Sequence, residues 1–227
     1  MIVAIHQPNF LPWLGYFYKL SASDVFVFLD DAQYSKNSFI NRNKIKTAQG
    51  EIWLTIPVKF NFGQAINEVK INDHDSNWRE KHLKTILMNY KKAQFFDEIF
   101  TLLDSVYKKQ NWERLIDINI ELFKEIIGYL QLENEIICSS VLQINDQSTE
   151  RLAKIVKKLN GDIYLSGAGG AKYQEEEIFK RENITLKYSN FTHPTYQQLW
   201  HSFVPNLSII DVLFNCGKQT RNLLNVV

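Results

Sequence analysis

Short apolar runs that end in polar or turn-forming residues mark the beginning of the chain. One run covers residues 1–5 and stops at His6, and a second covers residues 24–29. Their length and β-branched content predict two buried strands. Residues 13–20 between them have helical length and apolar spacing, and Pro12 suits a first helical turn. The N-terminus is therefore predicted to form a parallel β-α-β unit.

The middle of the chain has the spacing of helices. Apolar residues recur three and four positions apart, as in Leu83, Ile86 and Leu87, and Ser76 is suited to cap the first helix. Three helices are predicted, over residues 77–92, 95–109 and 112–129. Before them, residues 33–45 are interpreted as a polar loop and residues 51–58 as a strand that follows a turn at Gly50.

The last third of the chain again alternates strands and helices. Strands are predicted at 135–139, 162–165 and 184–188, with helices at 148–159, 173–181 and 208–214. Alternation at both ends around a helical block predicts a single α/β domain over residues 1–227. Its core would be a parallel, nucleotide-binding-like sheet, with a helical insertion at about 76–130.

Composition narrows the class of protein. Hydrophobic residues make up 45% of the chain, charged residues 22%, and the net charge is +1, which gives no electrostatic reason to expect DNA or a membrane as partner. Cys138 and Cys216 make neither a disulfide framework nor a metal-ligand spacing. No apolar stretch approaches the roughly 20 residues of a membrane span, and no leader sequence is recognisable. We expect a cytoplasmic protein, and no residues are assigned as a metal site.

His6 and Asp30 follow the first two predicted strands, where open α/β sheets bind ligands. A histidine there is suited to proton transfer near neutral pH, although it would equally serve to cap the turn. An acidic residue at Asp30 would orient His6, bind a ribose hydroxyl or hold magnesium, and a solvated turn is the alternative. His193 lies in a second loop that combines histidine with proline, and is a second candidate acid or base.

Two further segments have the composition of anion sites. Lys36, Arg42 and Lys44, with Asn41 among them, lie in a stretch without acidic residues and would bind phosphate by charge-assisted hydrogen bonds, although a basic surface loop is the usual alternative. The glycine-rich turn at 166–170, which begins with Ser166 and Gly167, would let backbone N–H groups approach an anion, or form a tight structural turn.

Four segments together resemble the WbqC-like family, and the resemblance extends over nearly the whole chain. They are the opening motif at 6–17, which includes Gln7 and Asn9, and residues 41–44, 165–167 and 208–217. Members of that family are found among bacterial surface-polysaccharide genes. Some are associated with O-antigens whose amino sugar carries an amino-acid-derived acyl group.

The first β-α-β unit also resembles the nucleotide-binding fold of nucleotidylyltransferases, class I synthetases and pantothenate synthetase. Those proteins carry a His-x-Gly-His signature at the first turn. Residues 13–16 of this chain, Trp-Leu-Gly-Tyr, supply the glycine but neither histidine. This departure argues against adenylate chemistry.

The first resemblance implies an enzyme of O-antigen biosynthesis that N-acylates a nucleotide-linked amino sugar. In this hypothesis His6 or His193 takes the proton of the amine, and an aromatic ring, Trp13 or Tyr16, lies under the base or sugar. The acyl donor stays open among an ATP-made adenylate, a thioester and an aminoacyl-tRNA. The alternative is a non-catalytic protein of the same pathway that binds a nucleotide-sugar or glycan.

In this hypothesis Arg42 and Lys44 bind the diphosphate of the sugar nucleotide. The helix start near Pro12, or the turn after Ser166, stabilises the developing oxyanion. A single cleft lined by His6, Asp30, Asn41, Arg42 and Ser166 is therefore expected. Activity is expected to fall on the acid side with a pKa set by His6. The cations Arg42 and Lys44 should place that pKa below the usual 6.5, whereas Asp30 would shift it in the opposite direction.

Overall fold

A five-stranded, all-parallel sheet forms the centre of the protein in a computed structural model that describes residues 1–73, 77–109, 112–172 and 174–224. The strands of the chain are β1 (Ile2–His6), β2 (Val25–Phe28), β3 (Arg42–Thr47), β4 (Gly50–Thr55), β5 (Val58–Lys59), β6 (Lys70–Ile71), β7 (Glu135–Cys138), β8 (Ile163–Ser166) and β9 (Thr185–Tyr188). The α-helices are α1 (Leu14–Ser21), α2 (Trp78–Tyr90), α3 (Phe96–Lys108), α4 (Leu115–Leu130), α5 (Ser148–Lys158), α6 (Glu176–Arg181) and α7 (Ile209–Cys216).

The parallel sheet has the strand order β7-β2-β1-β8-β9. Strand β1 pairs in parallel with β2 on one side and with β8 on the other, and β8 pairs in parallel with β9. Both predicted β-α-β units are confirmed. The chain adds strands on one side of β1 and later on the other, so the order reverses between β1 and β8, and this reversal marks the crevice where open α/β sheets bind ligands.

The two faces of the sheet are covered by different helices. Val3 and Ile5 point to one face, where they are buried with Val156 of α5 and Phe179 of α6. Alternate residues such as Ala4 and Phe26 point to the other face, which α1 and α4 cover. Because side chains alternate along a strand, His6 lies on the same face as Ala4, beside α1.

The hairpin of β3 and β4 differs from the sequence prediction. Arg42 and Lys44 were expected in a loop but lie on β3, which pairs antiparallel with β4. Buried and partly exposed positions alternate at the start of β3, but the sequence does not show this alternation. The buried position between Arg42 and Lys44 is occupied by an amide, Asn43, rather than by an apolar residue. The strand predicted over 51–58 ends at Thr55, since Pro57 has no N–H to continue the ladder.

The helical block over α2, α3 and α4 is confirmed, and α4 fastens it to the sheet. Phe123 of α4 packs against Phe17 of α1, with ring centroids 5.3 Å apart. The buried side chain of Asn119 donates to the Pro8 carbonyl at 2.9 Å and to the Ile40 carbonyl at 2.8 Å. Ser76, the predicted cap, lies outside the described residues.

A buried carboxylate joins the C-terminal part of the chain to the helical block. Asp211 of α7 accepts hydrogen bonds from the hydroxyls of Tyr90 at 2.7 Å and Tyr196 at 2.8 Å. Burial raises the pKa of Asp211, and the two hydroxyls act in the opposite direction. In the described residues, none of the helices has the length and apolar content needed to cross a membrane.

We predict that Asn119→Ala lowers the free energy of unfolding by about 2–6 kcal/mol, because two buried carbonyls lose their donor and each costs about 1–3 kcal/mol. Urea denaturation measures the loss. Asn134→Ala is the matched control, since its amide also donates to two carbonyls, of Leu20 and Ser23, but is only half-buried. An equal loss in both variants would contradict the role given to Asn119.

Candidate functional site

A cavity of about 90 Å³ lies at the carboxyl ends of β1 and β8, where the strand order reverses. It is lined by His6, Trp13, Gly15, Tyr16, Lys19, Gly167, Ala168, Ser189 and Phe191. A larger open groove of about 730 Å³ includes Ser21, at the other end of α1, and lies at the amino ends of the strands. The smaller cavity is the candidate site, because it occupies the crevice that the topology favours and holds the titratable side chains.

The loop between β1 and α1 is fixed by side chains from elsewhere in the chain. Leu11 has the unusual φ of 41° for a non-glycine residue, yet its side chain is buried. Its carbonyl accepts from the Asn43 amide at 2.7 Å and from the Ser208 hydroxyl at 2.8 Å. These bonds satisfy a carbonyl that the loop turns into the core, and so hold the residues on either side of it.

Gly15 lets the Trp13 ring lie across the start of α1. A Cβ atom at Gly15 would lie 2.3 Å from an atom of the Trp13 indole, which is closer than real contacts allow. Trp13 also stacks on His193, with ring centroids 6.4 Å apart and planes 15° apart, and meets the edge of Phe191 at 5.5 Å. The glycine of the opening motif therefore serves the packing of an aromatic wall.

Lys19 is buried in the candidate site, and the sequence prediction missed it. Lys19 is only 3% exposed, and its Nζ donates a hydrogen bond to the Ile5 carbonyl at 2.6 Å. Within the described residues no carboxylate forms an ion pair with it. Burial lowers the pKa of Lys19 to about 7, so a large fraction of this amine is neutral at physiological pH. The available signal was a single lysine in an otherwise largely apolar helix, residues 14–21.

His6 is an uncharged histidine next to this amine. Burial, and secondarily the charge of Lys19, lower the pKa of His6 to about 3. Its Nδ1 lies 3.2 Å from the Gln7 carbonyl, which only accepts, so Nδ1 carries the proton and Nε2 keeps its lone pair. The expected direction of the pKa shift is found, but its cause is burial and Lys19 rather than Arg42 and Lys44.

Tyr16 completes the wall around His6. Its ring centroid is 4.5 Å from that of His6, and its hydroxyl donates to the Gln7 carbonyl at 2.9 Å. Gln7 thus contributes through its backbone, holding both rings. Burial raises the pKa of Tyr16 well above its usual value, so the phenol stays protonated. Asn9 is half-buried in the same loop, three residues after His6.

The Asp30 carboxylate is occupied by neighbouring segments. It accepts from the Ser140 hydroxyl at 2.6 Å, from the Ser140 amide at 2.9 Å, from the Ser139 hydroxyl at 3.1 Å and from Asn67 at 3.2 Å. Asp30 therefore ties the end of β2 to the turn after β7. The described lining of the cavity contains His6 but not Asp30.

The basic residues of the predicted phosphate loop point to different surroundings. Arg42 lies over the Trp53 ring, 4.3 Å from its centroid, and Lys44 forms an ion pair with Glu51 at 3.1 Å. The buried Asn41 amide donates to the Ile56 carbonyl at 3.0 Å. Lys36 is exposed on the loop before them. The described residues that line the cavity include none of the four, so they do not share this cavity with His6.

The turn after β8 reaches the cavity through Gly167. Ser166 is buried beside it, where its hydroxyl accepts from Gln174 at 2.9 Å. His193 stands behind Trp13, with its Nδ1 donating to the Pro194 carbonyl at 2.8 Å. Of the predicted site residues, His6, Trp13, Tyr16 and Gly167 therefore share the cavity, and Ser166 and His193 lie next to it.

Other chemistries have less support in the described part of the chain. Both cysteines are free, and burial raises the pKa of Cys216, with Asp211 adding to the shift, so its thiol is protonated at neutral pH. Among residues 1–73, 77–109, 112–172 and 174–224, no three His, Cys, Asp or Glu side chains are grouped as metal ligands.

Comparisons with known proteins cover almost the whole chain. The model of the WbqC-like protein family matches residues 7–223, a range that includes Trp13, Lys19 and Gly167. The uncharacterized protein Rv1507c of Mycobacterium tuberculosis (strain ATCC 25618 / H37Rv) is 36% identical over 225 residues, which is 98% of this chain and 96% of that protein. No solved structure matches the chain significantly. The chain therefore belongs to the WbqC-like protein family.

Proposed function

We propose that the protein is an enzyme of bacterial surface-polysaccharide biosynthesis that forms an amide on the amine of a nucleotide-linked sugar. The observation that carries the proposal is the buried amine of Lys19, without a carboxylate partner in the described residues, beside an uncharged His6 at the strand-order reversal. Structural lysines are rarely buried without a counter-ion, because desolvating the charge is costly. A base with a pKa near the working pH is the usual reason to retain one.

In the proposed reaction, the amine nitrogen of the sugar attacks the carbonyl carbon of an activated acyl group. The C–N bond forms, the bond to the leaving group breaks, and the amine loses one proton. Neutral Lys19 accepts this proton, which its pKa of about 7 permits at physiological pH. His6, with a pKa of about 3, is too weak a base for that role. Its Nε2 lone pair instead orients the amine by accepting a hydrogen bond from it.

The cavity size supports a reaction on one end of a larger substrate. A volume of about 90 Å³ is smaller than the roughly 300–1,000 Å³ of pockets that enclose whole small-molecule ligands. The reacting amine and carbonyl fit such a volume, while the rest of the substrate lies outside. Backbone N–H groups of the turn at Gly167 and Ala168 are the proposed donors to the developing oxyanion. The acyl donor is an activated carboxyl compound, and its carrier is not specified by the cavity.

A binding protein of the same pathway is the second candidate function, favoured by the low basicity of His6. The two candidates differ in what Lys19 does. In an enzyme, Lys19→Met strongly lowers turnover and leaves the affinity for the amino-sugar nucleotide nearly unchanged. In a binding protein no turnover exists to lose, and the replacement changes affinity alone.

We predict that turnover rises with pH with an apparent pKa of about 7, because only the neutral form of Lys19 accepts the proton. Lys19→Met and Lys19→Arg should lower kcat by at least about 100-fold, within the usual contribution of a general base. His6→Gln should keep the acid limb and lose activity only in part, and His193→Gln is the control outside the cavity. An acid limb that disappears in His6→Gln would contradict this assignment of the base.

The charge of Lys19 also predicts a pH-dependent stability that needs no substrate. Its pKa is about 7 in the folded protein, against about 10.4 for an unperturbed lysine, so the unfolded chain binds the extra proton between these values. The part of the stability that depends on Lys19 should therefore rise with pH across this window, by at most about 1.4 kcal/mol per pH unit. Cys138 and Cys216, whose pKa values burial raises, act in the opposite direction, so the Lys19 part is the difference in slope between wild type and variant. Below pH 7 the amine is charged in both states, and folding carries the full cost of burying that charge. Above the unfolded pKa the amine is neutral in both states, and this cost is gone.

Urea denaturation between pH 7.5 and 9.5 tests this prediction below the range where tyrosines titrate, near pH 10. Lys19→Met should be more stable than the wild type at pH 7.5 and should lose the slope that Lys19 contributes. Lys92→Met, at an exposed position, should keep the wild-type slope. A Lys19→Met variant with the wild-type slope would show that the amine is charged throughout.

A further inference from the structure

An exposed aromatic surface lies on the β3–β4 hairpin and the loop that precedes it. Phe39 is 51% exposed and Trp53 is 40% exposed, and their ring centroids are 5.8 Å apart. Large aromatic rings that stay open to solvent as a neighbouring pair are suited to bind a flat ligand. We call Phe39, Arg42 and Trp53 the hairpin platform.

Arg42 gives the platform a positive charge that the protein does not neutralise. Its guanidinium lies over the Trp53 ring, 4.3 Å from the centroid, which orients the planar group while leaving donors for another partner. No carboxylate in the described residues forms an ion pair with it. Lys44 also lies near this ring, at 5.4 Å, but its ammonium is paired with Glu51 at 3.1 Å. The unpaired charge is therefore that of Arg42.

Two hydrogen-bonding groups beside the platform lack a partner. The Nε of Arg42 and the hydroxyl of Tyr34 are both buried and make no hydrogen bond. Burial raises the pKa of Tyr34, and the charge of the Arg42 guanidinium acts in the opposite direction. Buried polar groups are normally satisfied. An N–H and an O–H both find a partner in an anionic oxygen such as that of a phosphate.

A backbone hydrogen bond joins the segment that carries the platform to the loop that follows His6. The Phe39 carbonyl accepts from the Phe10 amide at 3.0 Å, and Phe10 is four residues after His6. Because consecutive Cα atoms are about 3.8 Å apart, the Cα atoms of His6 and Phe10 are at most about 15 Å apart. Phe39 of the platform is bonded to Phe10, so a ligand that occupies both places must be extended, as a sugar joined to a nucleoside through two phosphates is.

We propose that the hairpin platform, with Tyr34, binds the nucleoside diphosphate part of a substrate. Arg42 and the Tyr34 hydroxyl donate to phosphate oxygens, and the base stacks on Phe39 beside Trp53. This inference deepens the proposed function and rests on it only for the reaction that takes place at the other end of the ligand. It assigns Tyr34, Phe39 and Trp53 to binding and removes Lys44 from it.

The test is direct binding of UDP, ADP, GDP and CDP to the full chain, without an acyl donor, by calorimetry. At least one nucleoside diphosphate should bind, and the matching nucleoside and inorganic pyrophosphate should each bind at least tenfold more weakly. Arg42→Gln should weaken binding by at least tenfold, the scale of a charge-assisted hydrogen bond. Lys44→Gln should change it less than threefold.

Two phenylalanines provide a matched control. Phe39→Ala should weaken binding at least fivefold, whereas Phe62→Ala should not change it, although Phe62 is 99% exposed on a neighbouring loop. If Arg42→Gln does not fold, tryptophan fluorescence decides, because the bound nucleotide should quench the wild type and leave Trp53→Phe unquenched.

The outcomes separate this inference from the proposed function. No binding of any of the four nucleotides, equal binding of pyrophosphate, or unchanged affinity in both Arg42→Gln and Phe39→Ala overturns the platform, whatever Lys19 does. Nucleotide binding that depends on Arg42, in a protein that never forms an amide, supports the platform and overturns the proposed function alone.

Discussion

Hydrogen bonding of the backbone carbonyls in the loop after β1 is the constraint on which the rest of the structure depends. The loop runs through the core with Leu11 in a left-handed conformation, so its carbonyls need donors that no ladder or helix supplies. Asn119 bonds to the Pro8 carbonyl, and Asn43 and Ser208 bond to that of Leu11. These donors come from α4, from β3 and from the N-cap of α7. The helical block, the hairpin and the C-terminal helix are thus fastened to the loop that carries the candidate site.

The buried amine of Lys19 is tolerated because several independent contacts hold the loop and the helix around it. The Lys19 ammonium must lose its hydration, and one hydrogen bond to the Ile5 carbonyl replaces only part of it. Helix α1 cannot turn this side chain out to solvent, since Trp13 lies across Gly15 at its start and Tyr16 is bonded to Gln7. A side chain that lowers stability where it lies in a candidate site is typical of functional positions.

The sequence predicted the parts of the fold that apolar periodicity controls. The parallel strands and the helices were found because Val3, Ile5 and Val27 alternate or cluster as buried strands do. Strand β3 was missed because its buried position is Asn43, whose role is to bond to a loop distant in sequence. Lys19 was missed for a similar reason, since its burial depends on the Ile5 carbonyl and on covering rings. Polar groups that are buried for tertiary reasons leave no periodic signal.

The distribution of charge follows from the same tertiary contacts. The net charge of +1 gives little long-range attraction for an anionic molecule, and exposed charges are screened beyond about 8 Å at physiological ionic strength. Selection for anions must then be local. Lys44 is neutralised by Glu51, whereas Arg42 is fixed on Trp53 and Lys19 is buried, and neither has a carboxylate partner in the described residues. Of these three, Arg42 is the cation that packing holds in place without a counter-ion and that stays charged at neutral pH. A fixed cation favours an anion at a defined position without the entropy cost of ordering a free lysine.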